Sequence, residues 1–416
     1  MISVFQAHTL YNACALRDPG SKRWLIKAHQ TQCLYWGQKV EISFEKQQEI
    51  TQNLKTQVET IRSSNKTSLK SVAKLFDSWD CAVENLDSKK SEIVNNVFVD
   101  KMRRVSESCT ADIRDFTSMI IQQSIKLCKQ PQPYKFAAVA MGSLARGGTT
   151  PYSDLEYLFL VEEKTSYNIE YLRLLAMTIF FLIGNLQETK LKYMNIEELK
   201  GFDDKGKNGF KIDGLQPKAG NIPTGNGRPE QKDKFILTVS ELITEYTKIW
   251  NNPDPEESMK GDFTAMLGHT ALLYGDTALL EQFESAKHGM TANIARRNAN
   301  HKMIQQDIRD YDFLPLETLQ TVFHRVNLKS AIYRYPSILI LNLKLTYNIS
   351  SRDLWETLKK LHDMGILSDS FHESLQLLLA SAQYIRLAAY LYHDSQNENI
   401  SFLQKTETLE DGLRLS

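Results

Sequence analysis

Between residues 21 and 128 the chain contains no proline and a single glycine, Gly37. Proline breaks helices and glycine loosens them, so a run this long without them is permissive for helix throughout. The apolar residues recur at helical spacing, as Val72, Leu75 and Phe76 and again as Val94, Val97, Phe98, Met102 and Val105. The rest of the stretch is rich in Lys, Glu, Gln and Ser. Residues 1–128 are therefore expected to form an N-terminal helical region, and "KQPQPY" at 129–134 ends it, because each proline removes a backbone donor and biases its predecessor away from the helix.

A different pattern follows. "KFAAVAMGS" is a short apolar run closing on Gly-Ser, and "LEYLFLVEE" is a second, with turn residues between them. Next comes an apolar stretch whose core, "LLAMTIFFLIGNL" at 174–186, is too short to span a bilayer and is flanked by Arg173, so it is expected to be a buried helix. The stretch 201–231 is loaded with Gly, Asn, Asp and Pro and leaves room for one short strand, "GFKID". Strand, loop, strand, helix predicts an α/β or α+β unit at 129–255. After "NNPDPEES" helical patterning returns, giving a helical domain at 256–416. There "SSRDLWETLKKLHDMGILS" opens with a capping-box-like Ser350 and stops near Gly365. The predicted class is α+β: a small mixed-sheet core flanked by two helical domains.

Lys+Arg and Asp+Glu are both 50, so the formal net charge is zero and no bulk electrostatic grip on nucleic acid or on an anionic membrane is expected. Any polyanion should be small and held locally. Cys14, Cys33, Cys81, Cys109 and Cys128 show no CxxC spacing, which predicts a reducing, cytoplasmic setting without structural zinc. The N-terminus lacks the pattern of a secretory signal.

The chemistry is expected in "MGSLARGGTTPYSDLEYLFL" at 141–160. If "DLEYLFLV" is extended, Asp154 and Glu156 project to one side while Leu155, Tyr157 and Phe159 line the other. Two converging carboxylates are costly unless a cation joins them. Upstream, Gly142 allows close backbone approach to a phosphate, Ser143 offers a hydroxyl and a donor, and Arg146 carries a fork suited to phosphate oxygens. A phosphate cradle beside paired acids outlines a site for a nucleoside triphosphate with Mg²⁺ or Mn²⁺. His269, His324, Tyr333, Tyr335, Tyr384 and Tyr390 lie at helical spacing among apolar residues and read first as core.

The spacing of GS to SDLE resembles the signature of the nucleotidyltransferase superfamily, closest to the signal-transduction group related to the P-II uridylyltransferases. "GFKIDGLQPKAGNIPTG" is similar to that group's third-carboxylate strand, "LLYGDTALLEQF" to its GDxxL helix, and the stretch from "VNLKSAIYRYPS" to "LHDMGIL" to its C-terminal helical substrate-binding domain. The resemblance spans about residues 95–395. It implies that Gly142 and Ser143 hold the β and γ phosphates, that Asp154, Glu156 and, as third acid, Asp213 (with Asp203 or Asp204 as alternatives) are the catalytic, metal-binding acids, and that a nucleoside monophosphate passes from an NTP to an acceptor hydroxyl, on a protein acceptor or regulatory partner. At two positions the chain departs from the family: Gly148 stands where many members carry an acid, and Glu156 where most carry Asp. Those departures motivate two rivals, an NTP-binding regulator of weakened activity and a helical protein-interaction adaptor.

Overall fold

The computed structural model describes residues 4–18, 21–37, 39–40, 42–84, 88–133, 135–189, 208–212, 233, 235–251, 267–291 and 326–400. The chain is mostly helical around one small mixed sheet, an α+β arrangement. Helices α1 (Val4–Arg17) and α2 (Arg23–Trp36) precede two long helices, α3 (Phe44–Glu84) and α4 (Ser88–Leu127), so the proline-free run is helical up to the KQPQPY break. Strand β1 (Phe136–Ala140), a single helical turn α5 (Gly142–Ala145), strand β2 (Tyr157–Val161) and helix α6 (Ser166–Gly184) follow. Then come β3 (Ile236–Leu237), α7 (Val239–Asn251), β4 (Ala271–Gly275), α8 (Thr277–Thr291), β5 (Val326–Asn327), α9 (Arg334–Thr346), α10 (Leu354–Asp363), α11 (Asp369–His393) and β6 (Asn399–Ile400).

The sheet has the order β3-β2-β1-β4, with β1 antiparallel to both neighbours and β2 parallel to β3. Its fourth strand thus comes from beyond residue 255, where the sequence pattern indicated helices alone. A five-residue strand flanked by apolar segments of similar length carries too short a period to stand out there. The sheet is buried on both faces. Ala138, Ala140, Tyr157 and Phe159 pack with α2, α3, α4 and α6, whereas Ala137, Val139, Leu158 and Leu160 pack with α7, α8 and α9. Small alanines on β1 let the helices approach closely on either side.

Helix α6 starts at the cap Thr165, whose hydroxyl accepts from Asn168 N, and it is sheathed by the fold. It is the one helix among the described residues that is long and apolar enough to cross a membrane, and Leu172, Leu175, Met177, Ile179 and Phe181 are nonetheless fully buried in the core. The cap of α10 is Asp353 rather than Ser350: its carboxylate accepts from Glu356 N at 2.9 Å, while Glu356 reaches back to Arg352 N at 2.8 Å. The cap lies three residues later than the serine suggested, with Glu356 reaching back to the residue before it, because an aspartate is an equally good cap and sits one residue before the apolar face. That face, Leu354, Leu358 and Leu361, is buried, and Gly365 follows the helix end with φ +69°.

The α3–α4 pair ties two cores together. At one end it contributes Leu54, Val58, Ile113, Phe116 and Ile120 to the sheet's core; at the other, Leu69, Val72, Phe98 and Met102 pack against α9, α10 and α11. Midway along α3, Arg62 forms a two-pronged ion pair with Glu188 just after α6, at 2.6 and 2.7 Å, with both side chains buried. The guanidinium lies 4.2 Å from the ring centroid of Tyr152, and Glu188 also accepts from Phe210 N at 2.8 Å. Breaking one partner of such a pair leaves an uncompensated buried charge. Glu188→Ala is expected to lose about 3–5 kcal/mol of stability in chemical denaturation, and a loss under about 1 kcal/mol, the surface-pair value, would show that the pair is not buried in solution.

Candidate functional site

The site forms where the β1–β2 hairpin opens. Met141 leaves β1 extended and donates its N–H to the Glu156 carbonyl at 2.9 Å, which aligns the start of α5 with the end of the SDLE segment. Gly142 has φ +60°, and a Cβ there would fall 1.5 Å from Glu156 Oε2. Glycine is required twice over, by conformation and by the carboxylate packed on it. Gly142 and Glu156, fourteen residues apart, are therefore neighbours as the motif implied. Asp154 and Glu156 are half-buried while Leu155 and Tyr157 are buried, the alternation expected of an extended segment, although regular β2 pairing begins only at Tyr157.

Asp154 lies at the edge of this arrangement. One carboxylate oxygen, Oδ1, is buried without a hydrogen-bond partner among the described residues, and the Lys211 ammonium stands 3.5 Å from it. Lys211 is brought there by its own backbone, whose carbonyl accepts from Leu155 N at 2.8 Å. The segment 208–212 thus continues the hairpin edge and is anchored behind by Gly209 N to the Glu188 carbonyl at 3.1 Å. Asp213, Asp203 and Asp204, the candidates for the third acid, lie outside the described residues, as do His324 and most of the stretch 201–231. Lys211 was not singled out from the sequence. A lysine two residues before an expected metal-binding acid carries no motif of its own.

The turn between the cradle and the acids is held by its carbonyl groups. Arg114 donates to the carbonyls of Leu144 at 2.9 Å and Ala145 at 2.9 Å, Ser106 to that of Gly147 at 2.7 Å, and Leu354 N to that of Arg146 at 3.2 Å. The Gly148 carbonyl accepts from Arg386 at 2.9 Å and from the Tyr333 hydroxyl at 3.2 Å. Arg386, fully buried, is sandwiched by Tyr333 at 4.3 Å and Tyr390 at 5.3 Å from its guanidinium carbon. Two of these donors, Arg114 and Arg386, are guanidinium groups from α4 and α11, so the loop is pinned from outside with its carbonyls turned toward the helices. Position 148 is closed to any side chain, because a Cβ would lie 2.0 Å from the Tyr333 oxygen.

Arg146 is half-buried between Tyr333 and a group of further cations. Burial raises the Tyr333 hydroxyl, but the charges of Arg146 and Arg386 and the hydrogen bonds outweigh it and leave the phenol below its usual range. His269, buried as the apolar setting suggested, is held well below the usual imidazole range by burial and then by Lys344, Lys287 and Arg146. Lys344 is lowered to about 7, first by burial and then by Lys287, with Glu284, Asp353 and Glu356 acting against this. Its ammonium donates to the Ser351 carbonyl at 2.8 Å. Arg146, Lys287 and Lys344 thus share one neighbourhood with the acids Glu284, Asp353 and Glu356. Tyr384 and Tyr390 are core, as read; for Tyr335 no such burial holds.

Neither the comparison with protein-family models nor the comparison with curated proteins found a match for this chain.

Two outcomes follow from the packing and the charge. Gly148→Ala should destabilise the fold by about 1–3 kcal/mol through overpacking, and Tyr333→Phe added to it should restore part of the loss; no rescue in the double variant would mean that the clash lies elsewhere. Lys344 binds its proton more weakly folded than unfolded, so its cost is full below pH 7 and shrinks as pH rises from about 7 toward the ordinary lysine value. Lys344→Met should therefore be more stable than the wild type near pH 6, with the difference closing toward pH 10 in denaturation midpoints. A pH-independent difference would place the ammonium in solvent.

Proposed function

We propose that this chain is a metal-dependent nucleotidyltransferase that moves a nucleoside monophosphate from an NTP to an acceptor hydroxyl. The observation that supports this reading is the Glu156 carboxylate packed on Gly142 at the open end of the hairpin, two residues after Asp154, whose buried Oδ1 has no hydrogen-bond partner among the described residues and faces the Lys211 ammonium at 3.5 Å. Such an oxygen is costly unless a cation or donor completes it. The fit to Mg²⁺ is chemical: Asp154 and Glu156 offer hard carboxylate oxygens, and Mg²⁺ is ordinarily held by one or two carboxylates together with substrate phosphates and water. The ion would supply charge neutralisation at the triphosphate and activation of the acceptor oxygen.

The protein's own contribution is positional. Gly142 admits a phosphate close to the backbone, Ser143 supplies a hydroxyl, and Arg146 and its cationic neighbours favour the triphosphate charge. The turn is already immobilised by Arg114, Ser106 and Arg386, so little ordering remains to be done on binding. Asp213 would complete the acid set, and a protein serving as acceptor or regulatory partner fits the family that the motif resembles. Asp154→Asn is expected to leave the fold intact and to lower transfer of labelled nucleotide from an NTP at least about 100-fold, since a lost metal ligand removes several kcal/mol of transition-state stabilisation. Wild-type turnover by the variant would remove Asp154 from the chemistry.

A second reading is an NTP-binding regulator without turnover, and the Lys211–Asp154 contact at 3.5 Å favours it, since a lysine there partly offsets the carboxylate charge that a metal would otherwise neutralise. Metal-independent NTP binding that is lost in Lys211→Met would support the regulator. Binding that requires Mg²⁺ and survives that substitution would support the enzyme.

A further inference from the structure

A cavity of about 40 Å³ lies between α1, α2, α3 and the residues that follow α6. A water needs roughly 10–15 Å³ of such space, so the cavity admits about three non-hydrogen atoms. Its lining is mixed, with the polar Asn12, Gln47, Thr51, Lys55, Asn185 and Gln187 beside the apolar Leu25 and Ala28. Thr51 and Asn185 are 6% and 5% exposed, and Thr51 Oγ1 and Asn185 Nδ2 have no hydrogen-bond partner among the described residues.

The orientation of Asn185 follows from its surroundings. Its Oδ1 accepts from Gln32 Nε2 at 2.9 Å and lies 3.0 Å from His8 Nε2, so the amide N–H₂ is the end left for the cavity. His8 is buried, which lowers it to about 4 and keeps this network neutral at physiological pH. Lys55 donates one N–H to Gln187 Oε1 at 2.9 Å, and an ammonium has three to give. Lys55 is the one charged group among the described lining residues. Burial lowers Lys55, and the nearby Glu188, outside the lining and paired with Arg62, acts against this.

We propose that this cavity binds the carboxylate group of a small organic acid, with the Lys55 ammonium, the Asn185 amide and the Thr51 hydroxyl as its donors. A carboxylate is three atoms, needs several N–H or O–H donors and carries the charge that Lys55 lacks a partner for within the lining. Inorganic phosphate, with five atoms, exceeds the space. The rest of the acid would extend past the partly exposed Lys55 and Gln187. Gln187 precedes Glu188, which holds the segment bearing Lys211, so an occupant would sit one residue from the ion pair behind the candidate site. Binding itself does not depend on the transferase reading.

The test uses the full chain at pH 7 and constant ionic strength, titrated with sodium acetate, sodium phosphate or sodium chloride, and read by thermal unfolding and by line broadening of ¹³C-acetate. Acetate should raise the unfolding temperature saturably, with half-saturation on the order of millimolar for so small a ligand, whereas chloride should not. Lys55→Met, a change at a partly exposed position, should weaken acetate binding at least tenfold, and Thr51→Val should weaken it severalfold with little change in shape. Acetate acting no differently from chloride, acetate binding unchanged in Lys55→Met, or phosphate competing for the Lys55-dependent site would each overturn the proposal.

Discussion

The buried pair of Arg62 and Glu188 is the interaction on which the position of the site depends. Each partner is otherwise unaffordable in the interior, and each recruits a different piece of chain as the condition of being there. Arg62 stacks on Tyr152 and also reaches the Pro151 carbonyl at 3.3 Å, fixing the approach to Asp154. Glu188 takes the Phe210 N–H and so fixes the approach to Lys211. Two segments that meet at Leu155 are thereby held from behind by one ion pair on a long helix. The geometry of Asp154 is set on α3, some ninety residues earlier in the chain.

The second constraint is the disposition of backbone carbonyls around the glycine turn. A turn beside two carboxylates and an expected triphosphate would be repelled if its carbonyl oxygens faced the same way. Here residues 144–148 give their carbonyls to Arg114, Leu354 N, Ser106, Tyr333 and Arg386. The guanidinium of Arg386 needs such acceptors in any case, since it is buried without an ion-pair contact to a described carboxylate. Its demand for acceptors and the turn's demand for donors are met together.

Much of this was legible in the sequence, and the part that was not has a physical reason. The helical N-terminal run, both strands of the hairpin, the buried character of α6 and the proximity of Gly142 to Glu156 follow from period, punctuation and spacing, all of which are local. What stayed hidden is long-range. Lys211, Arg386, Tyr333 and the Arg62–Glu188 pair act on residues more than fifty positions away, and nothing in "GSLARGG" indicates who will donate to its carbonyls. β4 was missed for a related reason, since Ala271–Gly275 becomes a strand through pairing with β1 rather than through its own alternation. The shift of the α10 cap from Ser350 to Asp353 was a choice between two competent caps, decided by which one directly precedes the buried leucine face.

Glu156 illustrates how one side-chain length can reconcile the departures from the family pattern. Asp154 is served by a lysine at the hairpin edge, whereas Glu156 folds its carboxylate over Gly142, the residue expected to meet phosphate. An aspartate at 156 would be one methylene shorter and would leave that contact unmade. With glutamate, carboxylate and phosphate cradle are placed so close that an anionic ligand and Glu156 can share the space only through a cation between them. Lys211 cannot be that cation on the Glu156 side, because its backbone is tied to Leu155 and its ammonium is directed to Asp154 and Asn208. The same glutamate that departs from the family pattern therefore makes the proposed triphosphate site more dependent on a divalent ion.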